Sequence, residues 1–311
     1  MILKNESKNA LRRFAFISLV LIGGLVHGQS QSTQAGMAHT AEVDLAYEVL
    51  GSNTALPPIV AVNGGPGLTH AYMVQNDVWK RLAEGRRVVF YDQRGNGKST
   101  RLQANAPMTM DAQVADLEAV RAALHAEKID LVGDSFGGFV VLAYTLAHPE
   151  HVRRLVVSDG LPGWKAIEHP MSQIYPDLEA EAEAEMKMIP KGAKADDFSM
   201  RAHLRKCFYS PELAATYTSH FPDLGFNSAV SDQVGAATRD LDLSPQLSKI
   251  AVPTLILTGR FDVNVAPLTA WRMSKAIPGA QLHIFEHSGH LPSYEEPDAY
   301  LKQVCTFLSQ K

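Results

Sequence analysis

The feature that most constrains the fold is a Gly-x-Ser-x-Gly pentapeptide, Gly133-Asp-Ser-Phe-Gly137, between a run typical of a strand and a run typical of a helix. A strand can turn so sharply into a helix only if the serine takes a strained conformation and its second neighbours on both sides are small. The turn presents the Ser135 hydroxyl above the sheet, with the Phe136 N–H beside it at the start of the helix. The pattern predicts Ser135 as a nucleophile and Phe136 as an oxyanion donor.

Strand and helix patterns alternate on both sides of this turn. Apolar runs at 58–62 and 87–91 are typical of strands buried on both faces, and further strand runs occur at 43–47, 129–133, 154–158, 254–258 and 281–285. Helices are expected at 109–125, capped by Thr109 or Asp111, and at 136–147. This alternation predicts an α/β fold with a mostly parallel sheet.

Residues 161–242 differ from the rest, because strand runs disappear and Glu, Ala, Met, Pro and Tyr dominate. We expect a helical cap here, inserted into a core formed by 41–160 and 243–311. One face of the last helix carries Leu301, Val304, Cys305 and Leu308. The pattern therefore predicts a core position for Cys305. Whether it pairs with Cys207 of the cap stays open, because a sequence does not give the distance between them.

The first 28 residues have the pattern of a secretory signal peptide. Four basic residues precede the apolar stretch 14–26, and small and polar residues follow it, with Gly28 at the expected cleavage site. The alternative is a retained membrane anchor, but this stretch is short against the roughly 20 residues that a spanning helix needs. The small, polar segment 29–40 is expected to be a flexible lead-in.

Composition and charge exclude several kinds of partner. The chain has 29 Lys and Arg against 33 Asp and Glu, a net charge of −4, and removing the basic first 28 residues moves it to −7. This charge argues against nucleic acid or an anionic membrane as a partner, and 46% hydrophobic residues argue against disorder. We expect a secreted or periplasmic protein with no stable membrane association after signal cleavage. The oligomeric state stays open.

A nucleophilic serine needs a base and an acid that orients the base, and in folds of this kind they follow in the order Ser, Asp, His. Asp262 and His290 each follow a predicted strand, at the carboxyl edge where open α/β sheets bind ligands. We predict that His290 takes the Ser135 proton and that Asp262 holds the imidazole. Asp159, which also ends a strand, is the alternative acid, and His287 is the alternative base.

The second oxyanion donor is expected in the loop after the strand at 58–62. That loop reads Asn63-Gly-Gly-Pro-Gly67, in which consecutive glycines let the backbone approach a substrate carbonyl. Gly65 is the candidate donor. No cofactor is expected, because Gly95-Asn-Gly-Lys-Ser99 lacks the first glycine of a phosphate-binding loop. No metal is expected either, because His283, His287 and His290 have no matching carboxylate.

These residues resemble the α/β-hydrolase fold and, within it, the proline iminopeptidase (prolyl aminopeptidase) group of serine peptidases. The likeness rests on the Asn63–Gly67 loop, on Tyr91-Asp-Gln-Arg-Gly95, on Gly133–Gly138, and on the segments that hold Asp262 and His290. It implies an eight-stranded-type sheet with a cap, and cleavage of an amide or ester through an acyl-enzyme. It also implies a catalytic triad of Ser135, Asp262 and His290.

The sequence departs from this group where the group recognises a free amine. In one branch a cap Glu and a Glu directly after the triad Asp bind the amine, and Ser228 and Val263 stand at the matching positions here. Asp232 could substitute if the alignment shifts. The acidic run 178–185 is expected to be a solvated helix face.

We therefore expect a serine hydrolase, a proline-iminopeptidase-like aminopeptidase acting on a small molecule or short peptide. One alternative is an esterase, lactonase or amidase for a small uncharged acyl substrate. The other is a ligand-binding relic that no longer catalyses a reaction.

Overall fold

A computed structural model describes residues 34–74, 76–100, 105–167, 184, 187–189 and 194–310 of the chain. The proposed signal peptide and most of the acidic run 178–185 lie outside the described residues. Among the described residues, no helix has both the length and the apolar character needed to cross a lipid bilayer.

Eight strands form one sheet in the order β1-β2-β4-β3-β5-β6-β7-β8. Strand β2 is antiparallel to both of its neighbours, and the other pairs are parallel, which confirms the mostly parallel α/β fold. The strands are β1 (Gln34–His39), β2 (Asp44–Leu50), β3 (Ile59–Val62), β4 (Val88–Tyr91), β5 (Ile129–Asp134), β6 (Val152–Ser158), β7 (Thr254–Gly259) and β8 (Gln281–Phe285).

The expectation of a flexible lead-in over 29–40 is wrong for the residues that form β1. Residues Gln34–His39 instead pair along their whole length with β2. Most residues of this segment are small or polar, and Ala38 is the one buried residue among Gln34–His39. Its backbone pairs with the backbone N–H and C=O groups at the edge of β2. Backbone pairing at a sheet edge leaves no strong hydrophobic pattern, so the sequence does not reveal it.

Helices cover both faces of the sheet. One face packs on α3 (Met110–Ala123), α4 (Phe136–Ala147) and α8 (Pro267–Ala276), and the other packs on α2 (Asp77–Ala83) and α10 (Pro297–Ser309). Short helices α1 (Ala71–Val74) and α9 (Pro292–Glu295) precede α2 and α10. The Thr109 hydroxyl accepts the Ala112 N–H at the start of α3, which confirms Thr109 as the cap.

The part of 161–242 that the structure describes is helical. It contains α5 (Ala195–Lys206), α6 (Pro211–Ser219) and α7 (Ser228–Thr238), and no strand longer than an isolated bridge lies within these described residues. Leu204, Phe208 and Tyr217 pack into the same hydrophobic cluster as α2 and α10. The described cap helices thus share a core with the sheet domain.

The Asp-Gln-Arg-Gly stretch after β4 braces the core. The Arg94 side chain is 1% exposed, and its Nε and Nη2 donate to the two carboxylate oxygens of Asp116 at 2.7 Å each. This buried, bidentate ion pair links the loop after β4 to α3. Next to it, Gln93 Nε2 donates to the Asn63 carbonyl at 2.7 Å. The motif therefore holds the loop that follows β3.

The position of Cys305 is a second correction. The buried face of α10 is formed by Tyr300, Val304, Phe307 and Leu308, and Cys305 lies on the exposed side of the helix. Val304 and Leu308 belong to both the expected and the observed face, and Tyr300 and Phe307 complete the buried face in place of Leu301 and Cys305. Cys207 is buried, and both thiols are free.

Candidate active site

The turn after β5 places Ser135 as the pentapeptide predicts. Ser135 has φ 53° and ψ −119°, a region that a non-glycine residue adopts only under strain. A side chain on Gly133 would lie 2.5 Å from the Gly137 carbonyl oxygen, and one on Gly137 would collide with the Val62 carbonyl of β3. Both glycines are therefore needed for the strand to turn into α4.

The loop after β3 lies against this turn. A β-carbon on Gly64 would stand 2.8 Å from the Ser135 β-carbon, so the two backbones are in close contact. The Asn63 amide donates to the carbonyls of Gly64 and Leu68 at 2.9 and 3.0 Å, which holds the loop in shape. Within the described residues, the Gly65 N–H has no hydrogen-bond acceptor.

Two backbone N–H groups are thus available for an oxyanion. The Gly65 N–H belongs to the loop beside Ser135, and the Phe136 N–H is the first of α4. The first N–H groups of a helix have no acceptor inside the helix and carry part of its positive dipole. The arrangement can stabilise negative charge on an atom that Ser135 attacks.

His290 and Asp262 form a buried pair at the carboxyl ends of β8 and β7. The His290 Nδ1 lies 2.8 Å from Asp262 Oδ2, and both side chains are almost fully buried. The other oxygen of Asp262 accepts the backbone N–H groups of Asn264 and Val265 at 2.8 and 2.9 Å. These bonds fix the carboxylate, which in turn fixes the plane of the imidazole.

Asp159, the alternative acid, lies beside this pair without forming the bond to the imidazole nitrogen. Its carboxylate accepts the Gly259 N–H at 2.9 Å and contacts the Ser158 hydroxyl at 2.9 Å. Burial and the charge of Asp262 raise the pKa of Asp159 well above its ordinary value. Asp159 is therefore harder to ionise than an exposed Asp, and it makes no hydrogen bond to the imidazole. His287, the alternative base, is exposed.

Opposing influences act on the imidazole. Burial disfavours its charged form, but the charge and hydrogen bond of Asp262, followed by the charges of Asp159 and Asp134, outweigh burial and raise the pKa of His290 to about 9. The site therefore stabilises an imidazolium, the form that exists after a base has taken a proton.

A cavity between the sheet edge and the cap brings these groups together. Ser135 and His290 line it with Gly64, Gly65 and Asp134 from the core. Its apolar wall is formed by Leu68, Met200, Leu204, Leu224 and Leu291. A small acyl group would find apolar contacts here next to the serine hydroxyl.

Three polar residues that line this cavity are not predicted from the sequence. The Asn264 Nδ2 lies 3.1 Å from His290 Nε2, and its only clue is its place two residues after Asp262. The Tyr72 hydroxyl donates to Asp134 Oδ2 at 2.5 Å and accepts the Gly64 N–H at 2.6 Å. His203 is also part of the wall. Tyr72 and His203 come from segments with no recognisable motif.

The cap is bonded to the loop that carries His290. The Glu295 carboxylate accepts the Gly289 N–H at 2.6 Å and the N–H groups of Tyr209 and Ser210 at 2.8 and 3.1 Å. The His290 N–H donates to the Cys207 carbonyl at 2.6 Å. Burial raises the pKa of Glu295 to about 7, although the three N–H donors oppose this. One carboxylate thus joins the cap segment 209–210 to the loop that carries His290.

Of the described residues considered for amine binding, none supplies a carboxylate to the cavity. Ser228 is at the start of α7, where its N–H and hydroxyl both contact Asp196 at 3.1 and 2.9 Å. Val263 is partly buried, and Asp232 lies on the exposed side of α7. Asp232 does not line the cavity.

Two groups of side chains in the described residues have metal-ligating atoms within 4.8 Å of one another. In the group of Asp159, Asp262 and His290, hydrogen bonds occupy the carboxylate oxygens. In the other group, Glu118 binds Arg121 through both oxygens. In both groups the carboxylate oxygens are already engaged by hydrogen-bond donors of the protein.

A fold of this topology with a serine at the sharp turn after β5 defines a hydrolase of the α/β type. The family model for the alpha/beta hydrolase fold matches residues 57–297. A solved structure, the enol-lactonase from Burkholderia xenovorans LB400, aligns with a TM-score of 0.68 at 22% identity, covering 88% of this chain and all of that one. This last likeness concerns the fold alone.

Relatives found by sequence indicate which group of α/β-hydrolases this chain is similar to. A proline iminopeptidase of Saccharolobus solfataricus is 32% identical over 287 residues, covering 85% of this chain and 87% of that protein. A proline iminopeptidase of Lactobacillus helveticus is 29% identical, covering 85% and 94%. The chain belongs to the α/β-hydrolase family, in its proline-iminopeptidase-like group.

The close contact at Gly64 gives a test of this geometry. We expect Gly64→Ala to lower the free energy of unfolding by about 1–3 kcal/mol, because the new methyl group would overlap the Ser135 turn. Gly235→Ala is the matched control: it lies in α7 with open space around it, so alanine should stabilise the helix by up to about 1 kcal/mol. Urea unfolding measures both, and equal effects of the two substitutions would contradict the packing described.

Proposed function

We propose that the chain is a secreted serine hydrolase that removes the N-terminal residue from a short peptide or amide, with Ser135, His290 and Asp262 as its catalytic triad. The observation that carries the proposal is the strained Ser135 in one cavity with the His290–Asp262 pair. The likeness to two proline iminopeptidases supports the substrate class.

In the first half of the reaction, the Ser135 oxygen attacks the carbonyl carbon of the substrate while His290 Nε2 takes the hydroxyl proton. The carbonyl oxygen becomes an oxyanion, which the N–H groups of Gly65 and Phe136 stabilise. Asp262 stabilises the imidazolium through Nδ1. The His290 proton then passes to the leaving amine, the carbon–nitrogen bond breaks, and an acyl-enzyme remains.

In the second half, a water molecule attacks the acyl carbon and gives its proton to His290. The tetrahedral intermediate collapses, the bond to the Ser135 oxygen breaks, and the proton returns to that oxygen. The free acid leaves the cavity and the enzyme is restored. Each proton moved is held at Nε2 of one imidazole, so no cofactor is required by these steps.

A second candidate is an esterase or lactonase for an uncharged acyl group. The apolar wall of the cavity and the missing carboxylates at Ser228 and Val263 favour it. The two candidates differ in one chemical property, namely whether a free amine next to the scissile bond improves the substrate.

The test compares proline p-nitroanilide, its N-acetylated form and p-nitrophenyl acetate. We expect the free amine to be preferred over the acetylated anilide by at least about tenfold in kcat/KM, and Ser135→Ala to abolish all three activities. Equal rates on the free and acetylated anilides would favour the second candidate. No hydrolysis by the wild type and no labelling of Ser135 by a fluorophosphonate would favour the relic.

The raised pKa of His290 predicts a pH dependence. A general base acts in its neutral form, so kcat/KM for p-nitrophenyl acetate should rise as pH rises and reach half of its maximum near pH 9. In Asp262→Asn the half-maximum should move to lower pH, and the plateau should fall by about 10⁴ because the imidazole is no longer oriented. A profile in Asp262→Asn with the wild-type midpoint would contradict the role given to Asp262.

Export is proposed on the N-terminal sequence alone. We expect the full-length chain, expressed in a Gram-negative host, to appear in the periplasm or medium with Gln29 as its first residue. Arg12→Glu together with Arg13→Glu should retain it in the cytoplasm, because the net side-chain charge of the segment before the apolar stretch then changes from +3 to −1. N-terminal sequencing of the fractionated protein measures this, and an uncleaved chain in the membrane would favour the anchor.

A further inference from the structure

We propose that the carboxylate of Asp134 binds the free α-amine of the substrate, in place of the carboxylates that are missing at Ser228 and Val263. The inference rests on the proposed aminopeptidase activity and names the group that selects its substrate. It assigns a specificity role to the residue directly before the nucleophile.

Asp134 has one carboxylate oxygen held and one available. Oδ2 accepts the Tyr72 hydroxyl at 2.5 Å, and Tyr72 in turn accepts the Gly64 N–H. Oδ1 has no hydrogen-bond partner among the described residues, and Asp134 is part of the cavity wall with 7% of its surface exposed. The side chain is therefore fixed in orientation with spare acceptor capacity beside Ser135.

Asp134 supplies the negative charge of the cavity wall. Among the described residues that line it, Asp134 is the one carboxylate, none is Lys or Arg, and His290, whose pKa is raised to about 9, is the one group that is cationic at pH 7. His290 is already paired with Asp262, which leaves the carboxylate of Asp134 for a second cation. Burial lowers the pKa of His203 to about 4, so this wall residue is neutral at pH 7. Burial raises the pKa of Asp134 to about 6, against the opposing influence of His290 and Tyr72, which leaves it mostly ionised at pH 7.

The position also fits the chemistry of an N-terminal residue. Its amine is bonded to the carbon next to the scissile carbonyl, so a partner for the amine must lie close to the nucleophile. Asp134 is adjacent to Ser135 in the chain and in the cavity. A buried ammonium without an anionic partner would be costly, so a site that accepts it needs such a group.

The competing interpretation is that Asp134 only supports Tyr72 and the Gly64 backbone. Support of this kind would affect every substrate equally, because the same oxyanion loop serves them all. Recognition of an amine would affect only substrates that carry one. The comparison of free-amine and uncharged substrates therefore separates the two roles.

The experiment compares Asp134→Asn with Asp232→Asn, which removes an exposed cap acid that does not line the cavity. We expect Asp134→Asn to lower the ratio of kcat/KM for proline p-nitroanilide to kcat/KM for p-nitrophenyl acetate by about 100-fold, mainly through the KM of the anilide. The ratio is the readout because Asp134 also raises the pKa of His290, and a change in the base acts on both kcat/KM values alike. Asp232→Asn should leave both values unchanged. Equal losses on both substrates in Asp134→Asn would overturn the proposal, as would no loss on either.

A second experiment measures binding of an amine through inhibition, without the anilide reaction. It uses two variants of Asp134, so that the test does not depend on the folding of either one alone. Pyrrolidine, a cation at pH 7, should inhibit wild-type hydrolysis of p-nitrophenyl acetate far better than its uncharged analogue cyclopentanol. In Asp134→Asn and in Asp134→Ser the two should inhibit equally, and either variant that retains acetate hydrolysis suffices. Continued preference for pyrrolidine in these variants would overturn the role of Asp134.

If the wild type hydrolyses the acetate but no amino-acid anilide, the proposed aminopeptidase function fails instead.

Discussion

The close approach of three backbone segments at the carboxyl edge of the sheet is the constraint on which the site depends. At this edge β3, the turn after β5 and the start of α4 are so close that side chains on Gly133, Gly137 or Gly64 would overlap backbone or Ser135. The close approach gives a serine with a strained backbone, and an adjoining loop whose Gly65 N–H has no acceptor within the part of the chain that the structure describes. The strained conformation persists because β5 is buried along its whole length and hydrogen-bonded in the sheet, and because α4 is buried from Phe136 to Thr145.

The electrostatics of the site follow from how many carboxylates surround one imidazole. Asp262 bonds His290 directly, Asp159 stands beside the pair, and Asp134 approaches from the cavity side. Burial raises the pKa of both Asp134 and Asp159. In this arrangement Asp262 orients the imidazole, Asp159 accepts the Gly259 N–H beside it, and Asp134 faces the cavity with one oxygen that has no hydrogen-bond partner among the described residues.

The parts of this molecule that are predictable from sequence are those with a local cause. The helix 136–147 and the strand after it follow from apolar runs, and the glycine pattern reveals Ser135, because a tight turn has few chemical solutions. The pairing of His290 with Asp262 is predictable from chain order and the shared edge of parallel strands. Strand β1 is not, because backbone pairing needs no particular side chains. Tyr72 and Asn264 are not, because their roles arise from contacts between segments that are distant in sequence.

The bonds of Glu295 have a consequence for how the enzyme can evolve and be engineered. Its carboxylate holds the backbone of the cap segment and the backbone before the imidazole at once. An exchange of cap sequences between relatives would therefore alter the base as well as the substrate wall, unless the chain at Tyr209 and Ser210 keeps its path. A change of the cap therefore affects both which substrate fits the cavity and how His290 is placed. A chimera that changes only the substrate wall must keep the hydrogen bonds of Glu295 to Tyr209, Ser210 and Gly289.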